Sequence, residues 1–353
     1  MSDAAQPADS IAPRLLENAR IILEVSCRAR ADETVLIVAD RKLMRYAPAL
    51  VAAAQQIGAV PAVFDISAYV KTRWYEHGRV LEPLKTAMER ADIVVGTHNY
   101  GRLIDDPDIH DSLLTCQRRW VYVQMNGMDK WEITAEEVAA IARRTHWLMG
   151  VLDDAETIHV TSPAGTDFTC GLGPGSKHVP ILGIIPLYGE VAVTPRHGSE
   201  SGIVVVDGPT QMGVRPKDEL DREPLRITIE AGRVVDFDGD PEQVQRLEQF
   251  IVSGDAPVDG RLKTTVDAQD APADVIDEVG VLTTMVEAND VYYWSDGTHH
   301  HDCTHIALGN NAHRDTLVHG TRHMDGEVHK STVSVDGLVV TRDGVFCDEL
   351  LDG

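Results

Sequence analysis

The chain has 353 residues, with 56 acidic against 32 basic side chains and a formal net charge of −24. That length suits two domains with real cores, and the acidic excess opposes docking on nucleic-acid phosphates or anionic lipid. Cys27, Cys116, Cys170, Cys303 and Cys347 are scattered, odd in number and without CxxC spacing, which points to reduced thiols in a cytoplasm. Asp3 and Asp9 stand where an export signal needs basic residues, and no apolar run approaches the roughly eighteen residues of a membrane span.

From Pro13 to Asp153, short β-rich runs alternate with amphipathic stretches. Strands are expected over 34–40, 60–66, 92–98 and 120–124, and helices over 44–58, 81–91 and 134–144. Thr134 with Glu137 forms a capping box that starts the last helix. Such alternation describes βαβ units around an open, doubly wound parallel sheet. Neither GxGxxG nor GxxxxGK[ST] follows any of these strands, so no phosphate-binding motif supports a nucleotide role. His98 and Tyr100 follow the third strand, where such sheets carry ligand-binding loops, and are candidate substrate contacts.

After Asp153 the texture becomes β-rich with frequent Gly, Pro and Asp turns: strands are expected over 158–162, 203–207, 225–230 and 333–340. A helix over 241–251 interrupts them, and a second is expected around 273–277. The fold expectation is therefore an N-terminal doubly wound α/β domain, 1–154, followed by a C-terminal α+β domain, 155–353.

The C-terminal domain holds the residues with chemistry. His299, His300, His301, His305, His313, His319, His323 and His329 fall close together, and few cores bury so many imidazoles. His323-Met324-Asp325 places an imidazole and a carboxylate at i and i+2, which on a strand share one face. Mixed nitrogen and oxygen donors of this kind suit a divalent metal. The run His299 to His301 is too crowded for all three to ligate and is read as loop.

Four segments in order resemble the metal motifs of the aminopeptidase T family: Gly189-Glu190-Val191-Ala192-Val193-Thr194-Pro195, Asp277-Glu278-Val279-Gly280-Val281, Thr304-His305-Ile306-Ala307-Leu308-Gly309 and His323-Met324-Asp325. The resemblance implies an α/β domain followed by a metal domain, a homodimer, and a pair of zinc, cobalt or manganese ions. It makes Glu190, Glu278, His305, His323 and Asp325 the ligands, with Glu278 bridging and Glu190 also moving a proton. The implied reaction is hydrolysis of an amide-type bond in a small molecule or short peptide by metal-bound hydroxide.

One departure bears on that activity. The peptidases carry a tyrosine seven residues after the histidine of the third motif, and here that place is Ala312, followed by His313. His313 is the candidate replacement as donor to the oxyanion. The same superfamily includes 2,5-dihydroxypyridine 5,6-dioxygenase, a mononuclear Fe(II) ring-cleaving enzyme similar in length to this chain. That resemblance implies a histidine where this chain has Glu278, and no counterparts of Glu190 and His305. The alternative reading is accordingly an Fe(II) dioxygenase.

Overall fold

The computed structural model describes residues 11–41, 44–67, 82–97, 119–122, 128–129, 131–182, 189–208, 223–253, 274–283, 303–309 and 323–352. The chain divides into two compact units, with the break between Ala140 and Ile141.

In the first unit, helix α1 (Pro13–Ile21) begins on a proline, whose missing N–H costs nothing at that position. Strand β1 (Thr34–Ala39) leads through a 3-10 turn to α2 (Ala47–Ile57), which Gly58 ends in the left-handed region at φ 84°. Then come β2 (Val60–Asp65), α3 (Glu82–Arg90), β3 (Ile93–Thr97) and β4 (Arg119–Tyr122). The four strands are parallel in the order β2-β1-β3-β4. Val35 through Ala39 are all buried, which is why the central strand reads as an unbroken apolar run rather than an alternation.

Helix α4 (Ala135–Leu152) opens on the expected capping box: the Thr134 amide donates to Glu137 Oε2 at 2.8 Å, and the Glu137 amide donates to Thr134 Oγ1 at 3.2 Å. It runs eight residues past the expected end at 144, through Gly150. Leu148 and Leu152 bury in the core of the second unit, and that burial outweighs the helix-weakening glycine. Ile141 and the rest of α4 belong to the second unit.

The second unit is mostly antiparallel sheet. Its strands are β5 (Thr157–Thr161), β6 (Asp167–Gly171), β7 (Lys177–Leu182), β8 (Gly189–Thr194), β9 (Ser201–Val206), β10 (Leu225–Glu230), β11 (Arg233–Asp238), β12 (Ile276–Leu282), β13 (Cys303–Gly309), β14 (His323–His329), β15 (Thr332–Val335), β16 (Leu338–Arg342) and β17 (Val345–Phe346), with helix α5 (Pro241–Ser253) after β11. They form an eight-stranded sheet, β11-β10-β9-β6-β5-β15-β16-β17, and a five-stranded sheet, β14-β13-β12-β8-β7. One core takes side chains from both sheets, among them Val160, Phe168, Val204 and Val333 of the first and Val191, Val281, Ile306 and Met324 of the second. The helix expected at 273–277 is not formed; Val275, Ile276, Val279 and Val281 are buried and β-branched, and the segment enters β12 instead. Among the described residues no helix is long and apolar enough to cross a membrane. Cys27, Cys170 and Cys347 are free thiols, all buried.

Between β8 and β9 lies a buried acid remote from the sequence motifs. Glu200 is 1% exposed, and neither carboxylate oxygen meets a donor at full hydrogen-bonding geometry. Its carboxyl packs on Gly232 in the β10–β11 hairpin, where a Cβ would lie 2.7 Å from Oε2. Burial raises its pKa, and the backbone amides of Gly198, Ser199 and Glu200 together with the His197 side chain offset this only in part. An acid whose folded pKa is raised binds its proton more tightly in the folded chain. Its stabilising effect is complete below the ordinary carboxylate range and declines as pH rises through it. Glu200→Gln is therefore expected to gain stability relative to wild type as pH rises from about 4 to 8, read from urea midpoints of both proteins. A difference that stays constant, or grows toward acid pH, would contradict this account of Glu200.

Candidate metal centre

The five-stranded sheet has two chemically different faces, and strand alternation alone produces them. Val191 and Val193, Val279 and Val281, Ile306 and Leu308, and Met324 and Val328 face the core. The alternate positions on the same strands are Glu190, Glu278, His305, Asp325 and Glu327, each 3% exposed or less. Cross-strand register brings them into rows. Ala192, Gly280, His305 and Glu327 are successive partners across β8, β12, β13 and β14, while Glu278, Ala307 and Asp325 form the neighbouring row. Gly280 beside His305 and Ala307 between Glu278 and Asp325 are small, which leaves room for the polar side chains to converge.

Gly280 makes the largest such allowance. A Cβ built there would collide with the ring of His305 at Cε1 and Nε2, so the imidazole lies over bare backbone. In that position its Nε2 is 3.1 Å from Glu278 Oε1, 3.4 Å from Glu190 Oε1 and 4.0 Å from Asp325 Oδ1. Burial would depress the pKa of His305, but Glu190, the hydrogen bond with Glu278, and Asp325 overcome it and lift the pKa to about 10. The three carboxylates thus favour a cation at this point, and a proton on His305 supplies one. Glu190, Glu278 and His305 can each offer one donor atom with all three within 4.8 Å of one another. Oxygen and imidazole donors so placed fit a hard or borderline divalent ion, which would displace the proton on binding.

Four of the sequence-derived ligands therefore meet: Glu190, Glu278, His305 and Asp325. His323 begins β14 opposite Gly309, and its side chain lies outside the described residues. His98, Tyr100, Ala312, His313 and the run His299 to His301 also lie outside them. Glu327 escaped the sequence reading, although the period-two argument applied to His323 and Asp325 extends to it and to His329.

Comparison with known proteins places the chain. The model of the family described as NicX, 2,5-dihydroxypyridine 5,6-dioxygenase, matches residues 18–258. The chain belongs to this family. No curated protein matches it. Among solved structures it is similar to 2,5-dihydroxypyridine dioxygenase from Pseudomonas putida KT2440, with a TM-score of 0.64 and 16% identity over 95% of this chain and 98% of that one. It is also similar to wild-type AmpT from Thermus thermophilus, with a TM-score of 0.61 and 14% identity over 95% of this chain and 99% of that one. At these identities the likeness is one of fold, which the chain shares with both the dioxygenase and AmpT. Residues 18–258 include Glu190 but end before Glu278, His305 and Asp325.

The role of Gly280 gives a direct test of the centre. Gly280→Ala should displace the His305 ring, cost about 1–3 kcal/mol by overpacking, and strip metal from the purified protein. Gly150→Ala serves as a control because open space surrounds that helical glycine; a gain of up to about 1 kcal/mol is expected there. Elemental analysis showing full metal content in Gly280→Ala would remove His305 from the centre.

Proposed function

We propose that the chain is a two-metal hydrolase that cleaves an amide-type bond in a small molecule or short peptide. The supporting observation is the ring of three buried carboxylates, Glu190, Glu278 and Asp325, around the single imidazole of His305. Three negative charges exceed what one divalent ion neutralises and suit two. Glu190, Glu278, His305 and Asp325, together with His323, would hold the pair. Zinc, cobalt or manganese ions there would supply Lewis acidity toward a carbonyl oxygen and lower the pKa of a water toward neutrality.

The chain's own groups do the rest. Glu278 Oε1 holds the His305 Nε2 proton when no metal is bound, and ligand carboxylates carry protons during turnover, a role assigned to Glu190. The buried strand face keeps bulk water from the reacting bond. His313 is the proposed oxyanion donor, and His98 and Tyr100 are the proposed substrate contacts. The proposal includes a cytoplasmic homodimer with neither nucleic-acid nor membrane partners.

The family match supports a second reading, a mononuclear Fe(II) dioxygenase that opens the ring of a hydroxylated N-heterocycle. In that reading Glu278, His323 and Asp325 would hold the iron, a set of one histidine and two carboxylates that is less like the usual iron triad, and Glu190 and His305 would have no ligand role.

Metal analysis of anaerobically purified protein separates the readings. Two equivalents of zinc, cobalt or manganese are expected, with no oxygen uptake on 2,5-dihydroxypyridine. Glu190→Ala and His305→Ala should each reduce the count to about one, as for a paired site that loses one member. His323→Ala and Asp325→Ala should abolish metal-dependent activity and spare the fold, whereas His300→Ala should be mild. Without the family tyrosine, leucine anilides should turn over about 10²–10³ more slowly than with an intact oxyanion donor. A single iron with oxygen consumption would replace the hydrolase reading with the dioxygenase.

A further inference from the structure

Glu190 is the second residue of β8, one place from the entry of its strand. Strand ends open more readily than strand centres, so a carboxylate at that place keeps its position only if the strand end is held. The fastening lies on the other face of the sheet. Gly189 and Thr283 extend the core-facing rows formed by Val191 and Val193 on β8 and by Val279 and Val281 on β12. The Thr283 amide, just past the end of β12, donates to the Gly189 carbonyl at 2.9 Å, and Leu282 is the cross-strand partner of Glu190.

Helix α4 meets both strand ends at this point. A Cβ built on Gly189 would collide with Ile141 Cγ2 and would lie 2.5 Å from Thr283 Oγ1 and 3.1 Å from Thr145 Oγ1, so only glycine lets the helix come this close. Thr145 commits its one hydroxyl proton to the Ile141 carbonyl at 2.9 Å. The Thr283 hydroxyl, 2.6 Å from that of Thr145, is therefore the donor between the two. Both threonines are 0% exposed. Buried hydroxyls that satisfy one another, with no water to exchange with, hold a single arrangement where apolar contacts alone would tolerate a slide.

We propose that Gly189, Thr145 and Thr283 form a clamp that positions Glu190 for metal binding. Helix α4 bears on the entry of β8 through the bare glycine, and the threonine pair ties the adjoining end of β12 to the same helix. The inference rests on the reading of Glu190 as a ligand. The three residues lie on the core face, opposite the carboxylate, and act through the backbone of Gly189 and Glu190. A functional site needs its groups held to within about 0.5 Å, and any shift of the β8 entry moves Glu190 Oε1 relative to His305 Nε2, 3.4 Å away.

The test uses metal-free full-length wild type, Thr283→Val, Thr145→Val, Gly189→Ala and Glu190→Ala, each titrated with Co(II) by absorption and melted with and without the metal. Thr283→Val keeps the side-chain shape and removes the donor; it should weaken one of the two ions about tenfold and leave the other unchanged. Thr145→Val should act in the same direction. Gly189→Ala should weaken that ion further, and adding Ile141→Ala, which removes the colliding methyl group, should restore part of the loss. In a Glu190→Ala background, Thr283→Val should have no further effect on the remaining ion, because the clamp acts through Glu190. Wild-type affinity for both ions in Thr283→Val would overturn the inference, whether or not Gly189→Ala folds. So would a loss of melting temperature in Thr283→Val that is equal with and without metal, the mark of a purely structural residue. If Glu190→Ala binds metal as wild type does, Glu190 is no ligand and the clamp falls with that assignment. Loss of an ion in Glu190→Ala beside an unaffected Thr283→Val removes the clamp alone and leaves the two-metal reading standing. Should wild type bind one ion, the two-metal reading falls, and the clamp stands only if Thr283→Val weakens that ion about tenfold.

Discussion

The ion pairing of the His305 imidazole with Glu190, Glu278 and Asp325 is the interaction on which the functional half of the molecule turns. Charges this deeply buried are expensive unless they are matched, and three carboxylates meet within 4.0 Å of one ring nitrogen. Everything around the ring permits that meeting: bare backbone at Gly280, the small side chain of Ala307 between Glu278 and Asp325, and an apolar sandwich core behind the same strands. Stability and chemistry are divided between the two faces of one sheet. Each strand gives alternate residues to the core and to the centre.

This division explains how a family can keep one fold and change its chemistry. The core-facing valines, isoleucines and leucines answer to packing, and the polar face can exchange ligands without disturbing them. The fold is shared with a dioxygenase and with AmpT at 16% and 14% identity. The stretch that carries the family match ends before β12, β13 and β14, the strands that supply Glu278, His305 and Asp325. The family match therefore covers β8, which carries Glu190, and stops short of the strands that carry Glu278, His305 and Asp325.

Elsewhere the chain tolerates burial of polar groups by different means. The Thr145 hydroxyl donates to the Ile141 carbonyl and lies 2.6 Å from the Thr283 hydroxyl, so that pair is satisfied within the protein. Arg144, on the same helix, forms a two-pronged ion pair with Asp348 at 2.6 Å, which ties the C-terminal turn to α4. Glu200 has only partial compensation, and burial raises its pKa. The polar strand face gathers carboxylates around the His305 imidazole, an arrangement of donors that could hold a metal ion.

What could be read from the sequence was local. Period-two alternation marked His323 and Asp325 as a pair on one strand face, the capping box of Thr134 and Glu137 started α4, and apolar runs with intervening helices announced the parallel sheet. These features depend on neighbours within a few residues. Tertiary structure decided the rest. Burial of Leu148 and Leu152 prolonged α4 beyond its local propensity, and a place in a sheet turned 276–282 into strand where a helix was expected nearby. The convergence of Glu190, Glu278, His305 and Asp325 depends on the register between β8, β12, β13 and β14, which spans more than a hundred residues of chain. Cross-strand register is a property of the assembled sheet, so the candidate motifs were visible in the sequence, while the close packing around His305 arises only when the strands pair.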